Sequence, residues 1–255
     1  MLEVKKICIQ FGGLKAVDEV SLHVKQNELV GLIGPNGAGK TTLFNLITCI
    51  YRPTGGQIII DDKETSKLRP YQVTNECKAA RTFQNIRLFR DLSVLDNVLV
   101  ASHLKVNYGL LSILFRTKSF QAHEKKIRDE AYDLLKIFSL DTKADVLAKN
   151  LPYGDQRRLE IVRALATQPK ILFLDEPAAG MNETETLKLL DLIKFVRDKF
   201  KVGILVIEHD MKFIMGLCER IYVLDHGQLI GSGTPAEIRQ NPKVIRAYLG
   251  EETAA

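Results

Sequence analysis

Long apolar runs are missing from this chain. None approaches the roughly 18 residues that a membrane-crossing helix needs, so any membrane role has to come through partners. The opening Met1-Leu2-Glu3-Val4-Lys5 has no apolar signal core and predicts a cytosolic protein. Cysteine is sparse and scattered. Cys8, Cys49, Cys77 and Cys218 form no Cys-x-x-Cys pair and have no histidine at ligand spacing, which predicts buried free thiols rather than a metal or redox centre. Charge of one sign is also in short supply. The 36 basic against 31 acidic residues leave +5, too mild for a nucleic-acid footprint, and no nucleic-acid partner is expected. No repeat with a period of about 20 to 50 residues and no low-complexity tract occurs. What remains is a chain of 255 residues, enough for one large α/β domain with an inserted lobe or for two small domains.

The most informative stretch runs Gly34-Pro35-Asn36-Gly37-Ala38-Gly39-Lys40-Thr41-Thr42, a full match to Gly, any four residues, Gly-Lys-Ser/Thr. The apolar run Glu28-Leu29-Val30-Gly31-Leu32-Ile33 precedes it and has the length of a buried strand. Leu43, Phe44, Leu46, Ile47 and Ile50 follow at helical spacing. Glycines let successive backbone N–H groups turn inward around phosphate oxygens, and the helix start adds its partial positive charge there. In such a loop Lys40 pairs with the β- and γ-phosphates and the Thr41 hydroxyl ligates Mg²⁺. The stretch predicts a nucleoside-triphosphate site. A GTPase is disfavoured, because no Asn-Lys-x-Asp base-reading motif occurs.

Residues 2–30 alternate polar and apolar, the period of half-exposed antiparallel strands. Phe11, beside Gly12-Gly13, either stacks on a nucleotide base or closes the core at a strand end. Pro53-Thr54-Gly55-Gly56 reads as a turn before the strand Gln57-Ile58-Ile59-Ile60. Arg81-Thr82-Phe83-Gln84-Asn85 carries Gln84 past a strand, where it can orient water or complete a Mg²⁺ shell, or simply be an exposed loop residue. From 86 to about 150 the pattern turns helical, with Ile127, Ala131, Leu134, Leu135 and Phe138 on one amphipathic face. The apolar piece Val106–Phe115 reads as a partner-facing hairpin or as helix core. Leu151-Pro152-Tyr153-Gly154-Asp155-Gln156 leads into another helix, and such a glycine loop is in principle an anion site. Lys170 to Leu174 is a continuous apolar strand ending in Asp175-Glu176. Open α/β sheets hold ligands at such strand ends. Asp175 is the expected Mg²⁺-shell carboxylate and Glu176 the general base that polarises water. Val202 to Ile207 ends in Glu208-His209, which puts His209 within reach of a γ-phosphate. A hairpin turning at Asp225-His226-Gly227, a helix from about Pro235 and a polar tail finish the chain.

The phosphate loop, Gln84, the Gly154 loop, Asp175-Glu176 and His209, in this order, resemble an ATP-binding cassette (ABC) ATPase over nearly the whole chain. The resemblance implies an α/β P-loop NTPase with a RecA-like core, an antiparallel β subdomain and an inserted helical subdomain. Core and β subdomain would take about 1–84 and 160–255, and the helical subdomain about 85–159. It also implies ATP and Mg²⁺, with two cassettes facing head to tail and ATP held between one phosphate loop and the other's signature loop. Leu151 to Gln156 stands where the family has Leu-Ser-Gly-Gly-Gln. Pro152 replaces the serine, Tyr153 the first glycine and Asp155 the glutamine, so Gly154 alone keeps the close-approach position. Asn182 replaces the aspartate that usually follows Pro177 in the communication loop. Arg-Thr-Phe-Gln-Asn-Ile-Arg-Leu-Phe, Pro-Ala-Ala-Gly-Met-Asn and Val-Ile-Arg-Ala-Tyr-Leu-Gly-Glu narrow the likeness to one branch. That branch is the larger ATP-binding subunit of bacterial branched-chain amino acid importers. Phe11-Gly12-Gly13-Leu14-Lys15-Ala16-Val17 fits it too, and favours Phe11 as adenine platform. The branch implies two transmembrane permease subunits, a second ATPase subunit of unlike or like kind, and a solute-binding protein acting indirectly. It implies a peripheral place on the cytoplasmic face of the inner membrane.

Overall fold

The computed structural model describes residues 1–103 and 117–249, so the apolar piece at Val106–Phe115 lies outside the described residues. The chain divides into two compact units, one made of Met1–Gln84 with the chain from Lys170 onward, the other of Asn85–Pro169.

In the first unit, alternating residues make the antiparallel strands β1 (Leu2–Phe11) and β2 (Leu14–Val24). With β4 (Gly55–Ile60) and β5 (Lys63–Glu64) they form a four-stranded sheet in the order β2-β1-β4-β5. The second sheet is built from β3 (Leu29–Ile33), β6 (Ala79–Arg81), β7 (Ile171–Asp175), β8 (Gly203–Ile207), β9 (Arg220–Asp225) and β10 (Gln228–Gly233). Its order is β10-β9-β3-β8-β7-β6, parallel throughout except for the antiparallel β9–β10 hairpin. Every residue of β3, β7 and β8 is buried, as strands covered on both faces must be, and their continuous apolar runs follow from that. One core joins the two sheets, through Leu2, Val4, Ile58 and Ile60 from the first and Leu32, Phe173 and Leu205 from the second.

Helix α1 (Lys40–Ile47) leaves the loop after β3, and α2 (Pro70–Glu76) precedes β6. In the second unit, α3 (Val94–Ser102), α4 (Lys118–Ile137) and α5 (Tyr153–Ala166) pack together. The charged run at 121–130 forms the polar face of α4, while Ile127, Ala131 and Leu135 are buried. Asn97 on α3 is fully buried because its amide bonds the backbone of Phe89, Leu92 and Ser93, which pins the turn before the helix. Back in the first unit, Asn182 and Glu185 form a reciprocal capping box at the start of α6 (Glu183–Phe200), and Asp210 caps α7 (Met211–Leu217).

Two expectations are corrected here. Cys49, Cys77 and Cys218 are buried free thiols, but Cys8 is only half-buried, because it sits where β1 bulges against β2 and Glu19 N–H donates to its sulfur. Nor is the end of the chain all polar tail. After α8 (Pro235–Gln240), Pro242 starts a further helix, α9 (Pro242–Leu249), which buries Val244.

Candidate active site

Four loops leave the C-terminal ends of neighbouring parallel strands in the first unit. The glycine loop follows β3, Gln84 lies three residues past β6, Glu176 follows β7, and Glu208-His209 follows β8. Strand register therefore gathers residues that are up to 175 positions apart in the chain (209 − 34) at one sheet edge.

The glycine loop is shaped by contacts that only glycine permits. At Gly34 a Cβ would lie 2.0 Å from the Leu224 carbonyl oxygen, and at Gly39, φ +98°, 2.5 Å from that of Ala16. At Gly37, φ +81°, nothing lies within 4 Å. Lys40 is 9% exposed and folds back across its own loop, its Nζ donating to the carbonyls of Gly34 at 2.7 Å and Pro35 at 2.9 Å. Burial lowers the Lys40 pKa, and the Glu176 charge pulls the other way. Pro35 is half-buried, Asn36 exposed and Ala38 buried. Thr41 is exposed and Thr42 half-buried on the first turn of α1.

Asp175 ends β7 with a buried carboxylate, which accepts from Arg81 Nη2 at 2.7 Å. Glu176 adopts a left-handed conformation, φ +45°, uncommon for a residue with a side chain and a cost the surrounding fold must impose. Its N–H donates to the Ile207 carbonyl at 2.9 Å, which ties the turn to β8. Gln84 Nε2 donates to Glu176 Oε2 at 2.9 Å, and His209 Nδ1 stands 4.0 Å from Glu176 Oε1 and 3.7 Å from Glu208 Oε2. Gln84, Glu176 and His209 are thus assembled at one point. Glu208 accepts N–H donors from Ala178 at 2.8 Å and His209 at 3.2 Å. Burial pushes its carboxyl up from the ordinary range, and these backbone donors offset part of the rise.

Phe11 stays exposed at the end of β1, edge-on to Tyr51 with ring centroids 5.5 Å apart. Gly154 belongs to the second unit, buried in the first turn of α5. Pro152 at that cap offers no side-chain acceptor, and the Gln156 amide instead donates to the Leu151 carbonyl at 2.8 Å. Asp155 is held by Lys143 and Arg158.

Three features escaped the sequence reading. Arg81 bonds to Asp175, and Glu208 to Ala178 in the loop after Glu176, each far from its partner in the chain. A cleft of about 740 Å³ beside Pro35–Ala38 is also lined by Lys243 and Arg246 of α9, cations that complement an anion-binding loop.

Among known proteins, a family model described as "ABC transporter" matches residues 17–179, and one described as "Branched-chain amino acid ATP-binding cassette transporter" matches residues 228–254. The chain is 49% identical to the high-affinity branched-chain amino acid transport ATP-binding protein LivG of Salmonella typhimurium, over 98% of each chain. It is 45% identical to BraF of Pseudomonas aeruginosa, which bears the same description, again over 98% of each. With the lipopolysaccharide export system ATP-binding protein LptB of Escherichia coli K12 the identity is 36%, over 98% of each. A crystal structure of an ATP-binding cassette of an ABC transporter in its ADP conformation superposes with a TM-score of 0.84 at 29% identity, over 98% of this chain and 99% of the other. A family match across most of the chain and relatives of nearly half-identical sequence along its whole length lead to one conclusion: this chain belongs to the ABC transporter family.

Proposed function

We propose that this chain binds and hydrolyses ATP to power an importer of branched-chain amino acids. The observation that carries the reading is the 49% identity to LivG along the whole chain, joined to the branched-chain cassette match at residues 228–254. A likeness to LptB of comparable extent but 36% identity is the measure against which it stands.

In this reading the N–H groups of Gly34 to Thr42, with Pro35, Asn36, Gly37, Ala38 and Gly39 between, cradle the phosphates, and Lys40 neutralises them. Phe11 offers its ring to the adenine. Thr41, Gln84 and Asp175 supply oxygen ligands of the hard type that Mg²⁺ prefers. Among the described residues no group of three His, Cys, Asp or Glu could hold a metal alone, which suits a cation completed by substrate phosphates. When bound, Mg²⁺ neutralises charge that develops on the phosphoryl group. Glu176 takes the proton of the attacking water; the Gln84 amide at 2.9 Å keeps its carboxylate aimed. His209 senses the γ-phosphate, and Gly154 approaches the nucleotide of a second cassette. Two transmembrane permease subunits and a second, unlike ATPase complete the assembly, fed by a solute-binding protein. The subunit's place in this reading is peripheral, on the cytoplasmic face; no helix among the described residues is long and apolar enough to cross a membrane.

Glu176→Gln tests the chemistry. ATP binding should be retained while turnover falls by about 10²- to 10⁴-fold, the range for a general base; unchanged hydrolysis refutes the assignment. A mild-detergent pull-down from native membranes tests the assembly. Two permeases and a second ATPase support the importer, whereas a wholly soluble partner set overturns it.

A further inference from the structure

Arg81 is the most elaborately bonded side chain at the sheet edge, and none of the nucleotide chemistry above uses it. It ends β6, three residues before Gln84. Its Nη2 donates to Asp175 Oδ2 at 2.7 Å, while Nη1 donates to Asn45 Oδ1 at 2.8 Å on α1 and to Thr48 Oγ1 at 2.9 Å at the end of that helix. The guanidinium carbon lies 5.4 Å from the ring centre of Phe44 and 5.2 Å from that of Phe83. Arg81 and Asp175 side chains are only 9% and 5% exposed. Burying a guanidinium is costly unless its hydrogens are used, and here the two Nη groups serve three acceptors on two separate segments, β7 and α1 with its end, while Nε is buried without a partner. A lysine would match the charge but not the fork.

We propose that Arg81 is a positioning residue for Asp175. It claims Oδ2 and so leaves Oδ1 to face the cation, and it ties the carboxylate's direction to the helix that carries Lys40 and Thr41. Arg81 touches no nucleotide in this scheme; it acts only through Asp175. The inference rests on the reading of Asp175 as a Mg²⁺-shell carboxylate.

The test measures binding of a fluorescent ATP analogue to the full chain across a Mg²⁺ titration, and again with Mg²⁺ chelated. Wild type, Arg81→Lys, Arg81→Met, Asn45→Ala and the reference Asp175→Asn are compared, each with a melting curve. Arg81→Lys should raise the half-saturating Mg²⁺ concentration about tenfold, the scale of one lost charge-assisted hydrogen bond, and Asn45→Ala less. Mg²⁺-free nucleotide affinity should hold within about twofold, because the glycine loop itself is intact. A merely structural role would weaken both affinities together. If Arg81→Met does not fold, the lysine and Asn45 variants carry the test. Wild-type Mg²⁺ dependence in Arg81→Lys, or tighter Mg²⁺ binding, overturns the inference provided Asp175→Asn shifts the titration. A titration unmoved by Asp175→Asn overturns the Asp175 assignment itself, and the role of Arg81 with it.

Discussion

Replacing Glu208 with glutamine probes a carboxylate that holds two loops of the site at once. In the native protein each oxygen has its own backbone donor, Oε1 from Ala178 at 2.8 Å and Oε2 from His209 at 3.2 Å. Glutamine offers one acceptor oxygen, so its NH₂ group must face one of these N–H donors. The shorter Ala178 bond is the one to survive, and His209 N–H is left without its acceptor. His209 is exposed, so water can take over part of the lost bond, and the cost is about 0.5 to 1.5 kcal/mol, the net value of one hydrogen bond. For a chain of this size that is a fall of roughly 1 to 6 °C in Tm, at about 2 to 4 °C per kcal/mol. The charge works in the opposite direction. Burial raises the Glu208 pKa above its ordinary 4.5, so the folded chain keeps a proton that the unfolded chain releases. The associated stability is fully present below about 4.5 and is lost as pH rises through the higher, folded value. Wild type therefore loses stability across that window and the variant does not. Melting both proteins at about pH 5 and about pH 8 should give the larger gap at the acidic value. Because His209, whose Nδ1 stands 4.0 Å from Glu176 Oε1, loses its backbone anchor, kcat should fall while ATP affinity changes little. A gap that widens with pH, or a kcat equal to wild type, refutes the reasoning.

The glycine loop and the thiols give sharper contrasts. Gly37→Ala meets nothing within 4 Å, so it should cost only its left-handed strain, about 1 to 2 kcal/mol, and lose nucleotide binding with a modest Tm change. Gly39→Ala adds a clash with the Ala16 carbonyl at 2.5 Å and should melt well below it; equal Tm values would discredit the loop geometry. Phe11→Ala should weaken ATP binding, with Phe11→Tyr restoring it, since a ring face and not a hydroxyl is required; equal affinities for all three would remove Phe11 from the site. A thiol reagent should reach Cys8 first in the native protein, and Cys49, Cys77 and Cys218 only on unfolding, because burial raises the pKa of each of those three; fast labelling of more than one thiol contradicts this.

Which parts of this molecule were legible in the sequence follows from the range of the forces involved. Strand β3, the glycine loop and α1 are set by neighbours along the chain: apolar run, left-handed glycines, helical periodicity. Each leaves its mark within a few residues. The alternation of β1 and β2 and the solid apolar texture of β7 and β8 likewise report which faces are covered. The short final helix left a weaker mark: Val244, Ile245, Ala247, Tyr248 and Leu249 are not polar, but eight residues are too few for a helical period to stand out. Arg81 and Glu208 left none. Arg81 meets Asp175 across 94 positions and Glu208 meets Ala178 across 30, and nothing local distinguishes either from a surface charge. Both sit one or a few residues from a side chain that the motif does name, Gln84 in one case and His209 in the other. A motif records the groups that reach the ligand, whereas the groups that aim them are chosen by which strand ends the sheet order sets side by side. With β6 next to β7 and β7 next to β8, Arg81 meets Asp175, and the Glu208 carboxylate meets backbone donors of the loop after β7; left without such partners, either buried charge would be costly.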